Sequence, residues 1–414
     1  MIMIFLNKLL IGTSLTNIIY MLCKNLNFLF IDDIPTPYRL DVLKTFNKIY
    51  NNKIKVLFCA NKEPDRSWDI DFGNLDYEIL PGIIWRPKKQ KNPISYKLNL
   101  SIISNIKKYT PSAVVLSGYI QPTMQLAAWH CRKNKIPYGI TCESSFLQGK
   151  PEGLKWKIKK MVLKPIINGM SFGLPMGIKA EEYLRSLGAK RQPMYHFPNC
   201  PNVSNVVNIA NNKKNYEAGL KNKLNIPQTN KIILFVGRLI DAKRPLDLIN
   251  AFQKIEFKLK ENWTLLFVGE GSLKSKIQQL TTINHQPSTN IVLSGWLQPD
   301  EVYRIMAISE IMVLPSEHEP WGAVVNEAMA AGTPVIASES VGSAHDLIDN
   351  EKTGFTFNTG NVLELKNILT KIILGNVNLK EIGQQVQKKS IEMGHEFAAA
   401  NLLNSIKALI IDLH

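Results

Sequence analysis

The chain has 414 residues, 45% of them apolar and 20% charged, with a formal net charge of +16. That length exceeds one ordinary core and predicts two domains of roughly 150–200 residues each, and the composition excludes a disordered or fibrous chain. Residues 1–200 hold 29 Lys and Arg against 13 Asp and Glu, while residues 201–414 hold 21 of each, so the whole excess lies in the first half. Such asymmetry is expected of a half that meets an anionic membrane face, a nucleic acid or an acidic substrate; a lysine-rich solvated surface would show it too. Cys23, Cys59, Cys131, Cys142 and Cys200 are odd in number and form no CxxC pair. They argue against a disulfide scaffold or a zinc site and for a reducing cytoplasm.

In chain order, the first feature is the apolar run Leu9–Cys23, flanked by Lys8 and Lys24. It is short for a spanning helix, and Leu22-Cys23-Lys24 is a poor cleavage site. A weak membrane anchor, a docking helix and an extension from an upstream start codon remain, the last two preferred. "LNFLFIDDI" (Leu26–Ile34) then reads as a buried strand, and Leu40, Leu43, Phe46 and Ile49 are spaced for a helix. "KIKVLFCA", "SAVVLSG" and "PYGITCE" read as further strands, with a helix over Thr123–Lys133. The Pro- and Asn-rich "HFPNCPNVSN" (His196–Asn205) reads as a linker. A second alternation follows in "KIILFVG", "PLDLINAFQKI", "WTLLFVG", "IVLSG", "VYRIMAISE", "IMVLPS", "WGAVVNEAMAAG" and "PVIAS". Strand–helix alternation predicts α/β architecture with two doubly wound parallel sheets in tandem and a ligand cleft between them. The expected layout is an N-terminal extension at 1–25, Rossmann-like domains at 26–200 and 201–390, and a closing helix at 391–414 that crosses back to the first domain.

Four features of the second half fall at predicted strand ends. In "VGRLIDAKRP", Gly237 permits close backbone approach to a ligand, and Arg238 and Lys243 set two cations beside it; a solvated βα loop would carry the same residues. "VGEGS" places Gly269 in a Gly-x-Gly turn, weak as a signal by itself. In "SGWLQPDEV", Trp296 and Leu297 could wall a base pocket or belong to the core. In "EHEPWGAVVNEAMAAG", Glu319 and Glu327 stand eight residues apart. On one helix that is about 12 Å, beyond the roughly 5–9.5 Å of a cooperating glycosidase pair. Pro320 puts the helix start after Glu319, with Gly322 in the first helical turn, where free N–H groups seat an anion. Carboxylates on either side of a seated diphosphate fit a nucleotide sugar.

These stretches resemble the retaining glycosyltransferases of the group 1 kind (family 4), which have the two-domain GT-B fold. The runs "FVGRLIDAKRPLDLINAF", "FVGEGSLKSKI" and "VLPSEHEPWGAVVNEAMAAGTPVIAS" match in order and spacing, and the likeness extends over about residues 26–400. The resemblance implies that Arg238 and Lys243 hold the donor diphosphate and Glu319 the donor-sugar hydroxyls. The backbone of Trp321, Gly322 and Ala323 would line the sugar and phosphate pocket, and Glu327 would bind the ribose. It further implies no metal or other cofactor, front-face attack without an enzymic nucleophile, and a saccharide or lipid-linked acceptor on the first domain in surface polysaccharide or lipopolysaccharide synthesis. The expected enzyme transfers a hexosyl group. A GT-B epimerase and a non-catalytic GT-B subunit are the alternatives.

Three places depart from the family pattern, the mildest being Gly342-Ser343, where the family often has Gly-Gly. The first βα loop is the Pro-rich "DDIPTPYR", and the position after a middle strand has Tyr119 where many members have His. His130, His196 and His318 read as structural or solvated. "GLKWKIKKMVLKPII" has Leu154, Ile158, Met161, Val162 and Pro165 on one face and lysines on the rest, and "WRPKKQK" adds a basic loop. An ordinary helix with a lysine outer face would show this pattern; so would one lying on anionic lipid. The expectation is a cytoplasmic protein peripheral to the inner membrane face. Without a helix-turn-helix or aromatic nucleic-acid motif, no nucleic-acid partner is expected.

Overall fold

The computed structural model describes residues 27–50, 54–63, 70–87, 95–146, 152–283 and 291–411. The apolar stretch at 1–25 lies outside them, as does Lys88–Lys91 of the basic loop. The strands in chain order are β1 (Phe28–Asp32), β2 (Ile54–Phe58), β3 (Asp76–Ile79), β4 (Ile83–Trp85), β5 (Tyr96–Leu98), β6 (Ala113–Leu116), β7 (Tyr138–Cys142), β8 (Phe172–Pro175), β9 (Lys231–Val236), β10 (Trp263–Val268), β11 (Ile291–Gly295), β12 (Ile311–Leu314), β13 (Val335–Ser338) and β14 (Phe355–Phe357).

Two six-stranded sheets result, ordered β3-β2-β1-β6-β7-β8 and β11-β10-β9-β12-β13-β14, with the small hairpin β4-β5 beside them. Neighbouring strands in both large sheets run parallel. Helices cover both faces of such sheets, so central strands are apolar throughout rather than alternating, as in the fully buried β1, β6, β10 and β12. Each sheet grows outward from its first strand and then reverses, at β1/β6 in one domain and β9/β12 in the other. The two reversals open crevices at the carboxyl ends of the strands.

The chain crosses between domains near Phe197–Pro201 and again at Gly394. The Cys200 thiol donates to the Met393 carbonyl at 3.2 Å, tying the crossings together. After the second crossing, the helix His395–Ile411 packs on Pro37–Tyr50 of the first domain. Its Ala398, Ala399, Leu402, Leu403 and Ile406 complete a buried cluster with Phe28, Phe30, Leu40, Leu43 and Phe46. Among the described residues no helix is long and apolar enough to cross a membrane.

Candidate active site

The site is built from strand ends. β9, β10 and β11 close at Gly237, Gly269 and Gly295, joined by Gly237 N–H to the Val268 carbonyl (3.0 Å) and Gly269 N–H to the Gly295 carbonyl (2.9 Å). A Cβ on Gly269 would stand 2.1 Å from the Gly237 carbonyl oxygen, and its φ is +136°, so only glycine lets these ends come together. This contact carries Arg238 and the short turn Asp241–Lys243 to the sheet edge at the β9/β12 reversal. Glu317 N–H donates to the Ala242 carbonyl at 2.9 Å, joining the loop after β12 to that turn. On its other side the loop is pinned by Glu319 N–H to Ser340 O (3.1 Å), Gly342 N–H to Glu319 O (2.9 Å) and Ser343 N–H to Trp321 O (2.8 Å).

Held this way, the Glu319 carboxylate contacts the Lys243 ammonium, the two side chains 18% and 15% exposed. Burial and then the Arg238 guanidinium draw the Lys243 pKa down to about 8. The touching carboxylate opposes that shift and favours the ammonium. Arg238 itself is exposed.

The helix Ala323–Ala330 begins one residue later than expected. Gly322 is the residue before it, at φ +89° in the left-handed region, rather than part of its first turn. The start of that helix meets the Glu319 loop; Glu327 lies a turn further on, 7% exposed. The Trp321 ring is buried and donates to Asn326 Oδ1 at 3.1 Å. Of the residues read as donor-binding, Gly237, Arg238, Lys243, Gly269, Glu319, Gly322 and Ala323 thus meet on one edge, with Glu327 behind. Trp296 stands away from the core at 65% exposure, while half-buried Leu297 rests against it.

Facing residues of the first domain complete the arrangement through contacts that were not read from the sequence. Tyr38, in the first turn of its helix, donates its hydroxyl to Glu327 Oε1 at 2.8 Å across the domain boundary. The Tyr303 hydroxyl reaches the same carboxylate. Burial raises the Glu327 pKa, and the two phenols oppose that rise. At a second bridge, both Asp346 carboxylate oxygens accept from Ile178 N–H at 3.2 Å. His196 lies between Glu181 (3.2 Å) and Asp346 (3.6 Å), so it is a joint between domains.

On the first domain's own sheet edge, Lys97 is 1% exposed and bridges Asp33 (3.0 Å) and Glu63, with Arg86 also on Glu63 at 3.2 Å. Burial lifts the Asp33 pKa to about 6 against the pull of Lys97. Asp32 and Arg39, both nearly buried, flank this cluster at 3.9 Å from one another. Tyr119 is buried, its hydroxyl donating to Ser144 at 3.2 Å. His130 is buried and His318 exposed. Among the described residues no three His, Cys, Asp or Glu side chains are grouped to hold a metal ion. On the outer surface the helix Leu154–Asn168 buries Leu163 and Ile167 and leaves Leu154, Ile158, Met161 and Val162 at 73%, 47%, 69% and 55% exposure.

Residues 218–389 match the family model of glycosyl transferases group 1. The sulfoquinovosyl transferase of Arabidopsis thaliana is 30% identical over 176 residues, 42% of this chain and 32% of that protein. A lipopolysaccharide 1,2-N-acetylglucosaminetransferase of Salmonella typhimurium is 28% identical over 144 residues, 33% of this chain and 38% of that protein. The matched region therefore spans only about a third of the length of these curated relatives. In three dimensions, HepE of Anabaena, solved with UDP, superposes with a TM-score of 0.66 at 18% identity, covering 94% of this chain and 99% of that one. The chain has a two-domain GT-B fold, and its residues 218–389 match the glycosyl transferases group 1 model.

Proposed function

We propose that the protein is a retaining glycosyltransferase that moves a hexosyl group from a nucleotide-diphosphate sugar to a hydroxyl of a saccharide or lipid-linked acceptor. One observation carries the reading: the contact of Lys243 with Glu319 at the β9/β12 reversal, beside Arg238 and the start of the Ala323–Ala330 helix. Two cations and a helix N-terminus suit a diphosphate. A carboxylate within the same ring of groups suits the sugar hydroxyls attached to it. The relative solved with UDP supports a nucleotide-sugar donor.

In this reading Arg238 and Lys243 neutralise the charge that grows on the diphosphate as its bond to the sugar C1 breaks, so the step calls on no metal. Glu319 orients the sugar through its hydroxyls, and Glu327 holds the ribose. The acceptor oxygen attacks C1 from the face the phosphate leaves. The new C1–O bond forms there, and the acceptor proton passes to a phosphate oxygen, which keeps the configuration at C1. The polar sheet edge of the first domain, with Asp33 partly open to the cleft, is where the acceptor docks.

The lipopolysaccharide-acting relative and the exposed apolar, lysine-flanked face at Leu154–Val162 support an acceptor at the inner face of a membrane, for surface polysaccharide or lipopolysaccharide synthesis. The test is a thermal-shift panel of UDP-, GDP-, ADP- and CMP-linked sugars, with Arg238→Ala and Glu327→Ala as controls. Stabilisation by one nucleotide class, lost in both variants, is expected. A folded protein that no nucleotide sugar stabilises would instead be a non-catalytic GT-B subunit.

A further inference from the structure

This inference rests on the reading that Glu327 binds the donor ribose. That carboxylate is not open: it is 7% exposed and already holds the hydroxyls of Tyr38, at 2.8 Å, and Tyr303. The two phenols have different standing. Tyr303 lies on the helix Pro299–Ala307, which packs on the Glu327 helix within one domain. Tyr38 belongs to the other domain, 289 residues away in sequence, at the end of the Pro-rich loop that leaves β1. To a carboxylate, a phenol O–H is the equivalent of a sugar O–H: one donor at a similar distance.

We propose that Tyr38 is a donor-site residue contributed by the first domain, whose hydroxyl stands on Glu327 in place of a ribose hydroxyl and is exchanged for it when nucleotide binds.

Three physical points carry this. A buried ionised carboxylate needs its donors, and stripping one away without replacement is costly. Tyr38 supplies a donor as long as no ribose does. The Glu327 charge, and then burial, push the Tyr38 pKa well above its usual value, so the phenol keeps its proton and stays a donor. Finally, the contact bridges two domains, so giving it up requires only that they shift, whereas releasing Tyr303 would require repacking inside one domain. The measured donor affinity is then net of a broken Tyr38–Glu327 bond, and the exchange links ribose binding to the seating of one domain on the other.

Isothermal titration of wild type and Tyr38→Phe with UDP, GDP, ADP and inorganic pyrophosphate tests this. Removing the competing hydroxyl should tighten the recognised nucleotide about threefold to tenfold, the scale of one net hydrogen bond. Pyrophosphate, which has no ribose, should bind both proteins equally. Unchanged or weaker nucleotide binding by a folded Tyr38→Phe overturns the proposal. So does a tightening of pyrophosphate in step with nucleotide, because Tyr38 would then act on the whole cleft. Should the variant fold poorly, Tyr38→Leu, which likewise lacks the hydroxyl, takes its place in the same titrations, and nucleotide binding no tighter than that of wild type overturns the exchange. If wild type binds none of the three nucleotides, the glycosyltransferase reading itself fails, a result distinct from any difference between wild type and variant.

Discussion

Lys97, 1% exposed, donates to the Asp33 carboxylate at 3.0 Å while its other contact, Glu63, lies on the far side. One ammonium therefore bridges two carboxylates at the carboxyl edge of the first sheet, and Glu63 also holds Arg86 at 3.2 Å. Lys97→Met keeps the stem and removes the charge, leaving Asp33 without this cation beside a Glu63 that keeps only Arg86. Stripping one partner from a buried pair costs about 3–5 kcal/mol, and the 30% exposure of Asp33 puts this case at about 3. The penalty has a pH sign. Asp33 already has a raised folded pKa of about 6, so its protonated form favours folding, and that stability is lost as pH rises through 6. Without Lys97 the Asp33 pKa rises further. The melting deficit of Lys97→Met should thus be small at pH 5 and large at pH 8; a deficit independent of pH would refute this account.

With Lys243 on the donor diphosphate, as proposed, donor binding should depend on pH in the opposite range. Its pKa in the unliganded protein is drawn down to about 8, and a diphosphate needs it charged. Below pH 8 the ammonium is present and affinity is flat. Above it, each binding event must first recharge the amine, so affinity falls by up to about tenfold per pH unit. Lys243→Arg, which stays charged, should bind more weakly because of its changed shape but lose the slope above pH 8. Titrations at pH 7, 8 and 9 with the nucleotide sugar that the thermal-shift panel selects decide it, and a slope retained in the Arg variant would assign the proton elsewhere.

The cluster at the β9/β12 reversal was legible because its parts are local. Gly237, Arg238 and Lys243 lie within one βα loop, and Glu319 to Glu327 within one loop and helix, so strand periodicity and turn chemistry place them. What could not be read depends on how the domains sit. Tyr38 and Glu327 are 289 residues apart, and no local pattern pairs them. Lys97 sits in the three-residue strand β5, where a lysine reads as a solvated side chain until Asp33 and Glu63 are found around it. The two tryptophans show the same limit. Trp321 and Trp296 both follow strand ends, yet one is 4% exposed and the other 65%. The exposed apolar face of Leu154–Asn168 was readable as a pattern, but only the packing of Leu163 and Ile167 shows which side of the helix faces the sheet.

The contact of Gly269 with Gly237 gives a sharp test of how the cations are positioned. Gly269→Ala would put a Cβ 2.1 Å from a backbone oxygen and force an L residue to φ +136°. Both effects act on the loop that bears Arg238. Destabilisation by about 2–3 kcal/mol is expected, the cost of one strongly strained residue. Nucleotide affinity should fall by more than the lost stability explains, as measured by titration at a temperature where the variant is fully folded. Normal affinity in that folded variant would show that the β9 and β10 ends do not place the donor cations.

The helix Leu154–Asn168 separates membrane docking from folding. Leu154, Ile158 and Met161 are exposed at 73%, 47% and 69%, so replacing them with glutamate removes little buried apolar surface and should leave the melting temperature within about a degree or two. On anionic vesicles the same changes remove the inserting side chains and add charges of the wrong sign. Wild type should therefore sediment with phosphatidylglycerol-containing vesicles at low salt and be released as salt rises, because the lysines around this face supply a screened attraction. The triple glutamate variant should stay in the supernatant at every salt concentration. Wild type that ignores anionic vesicles at low salt would remove the membrane from the proposed function. A variant that still sediments would move the docking surface to another part of the first domain, where the exposed Ile83, Ile84 and Trp85 are the next apolar residues to replace.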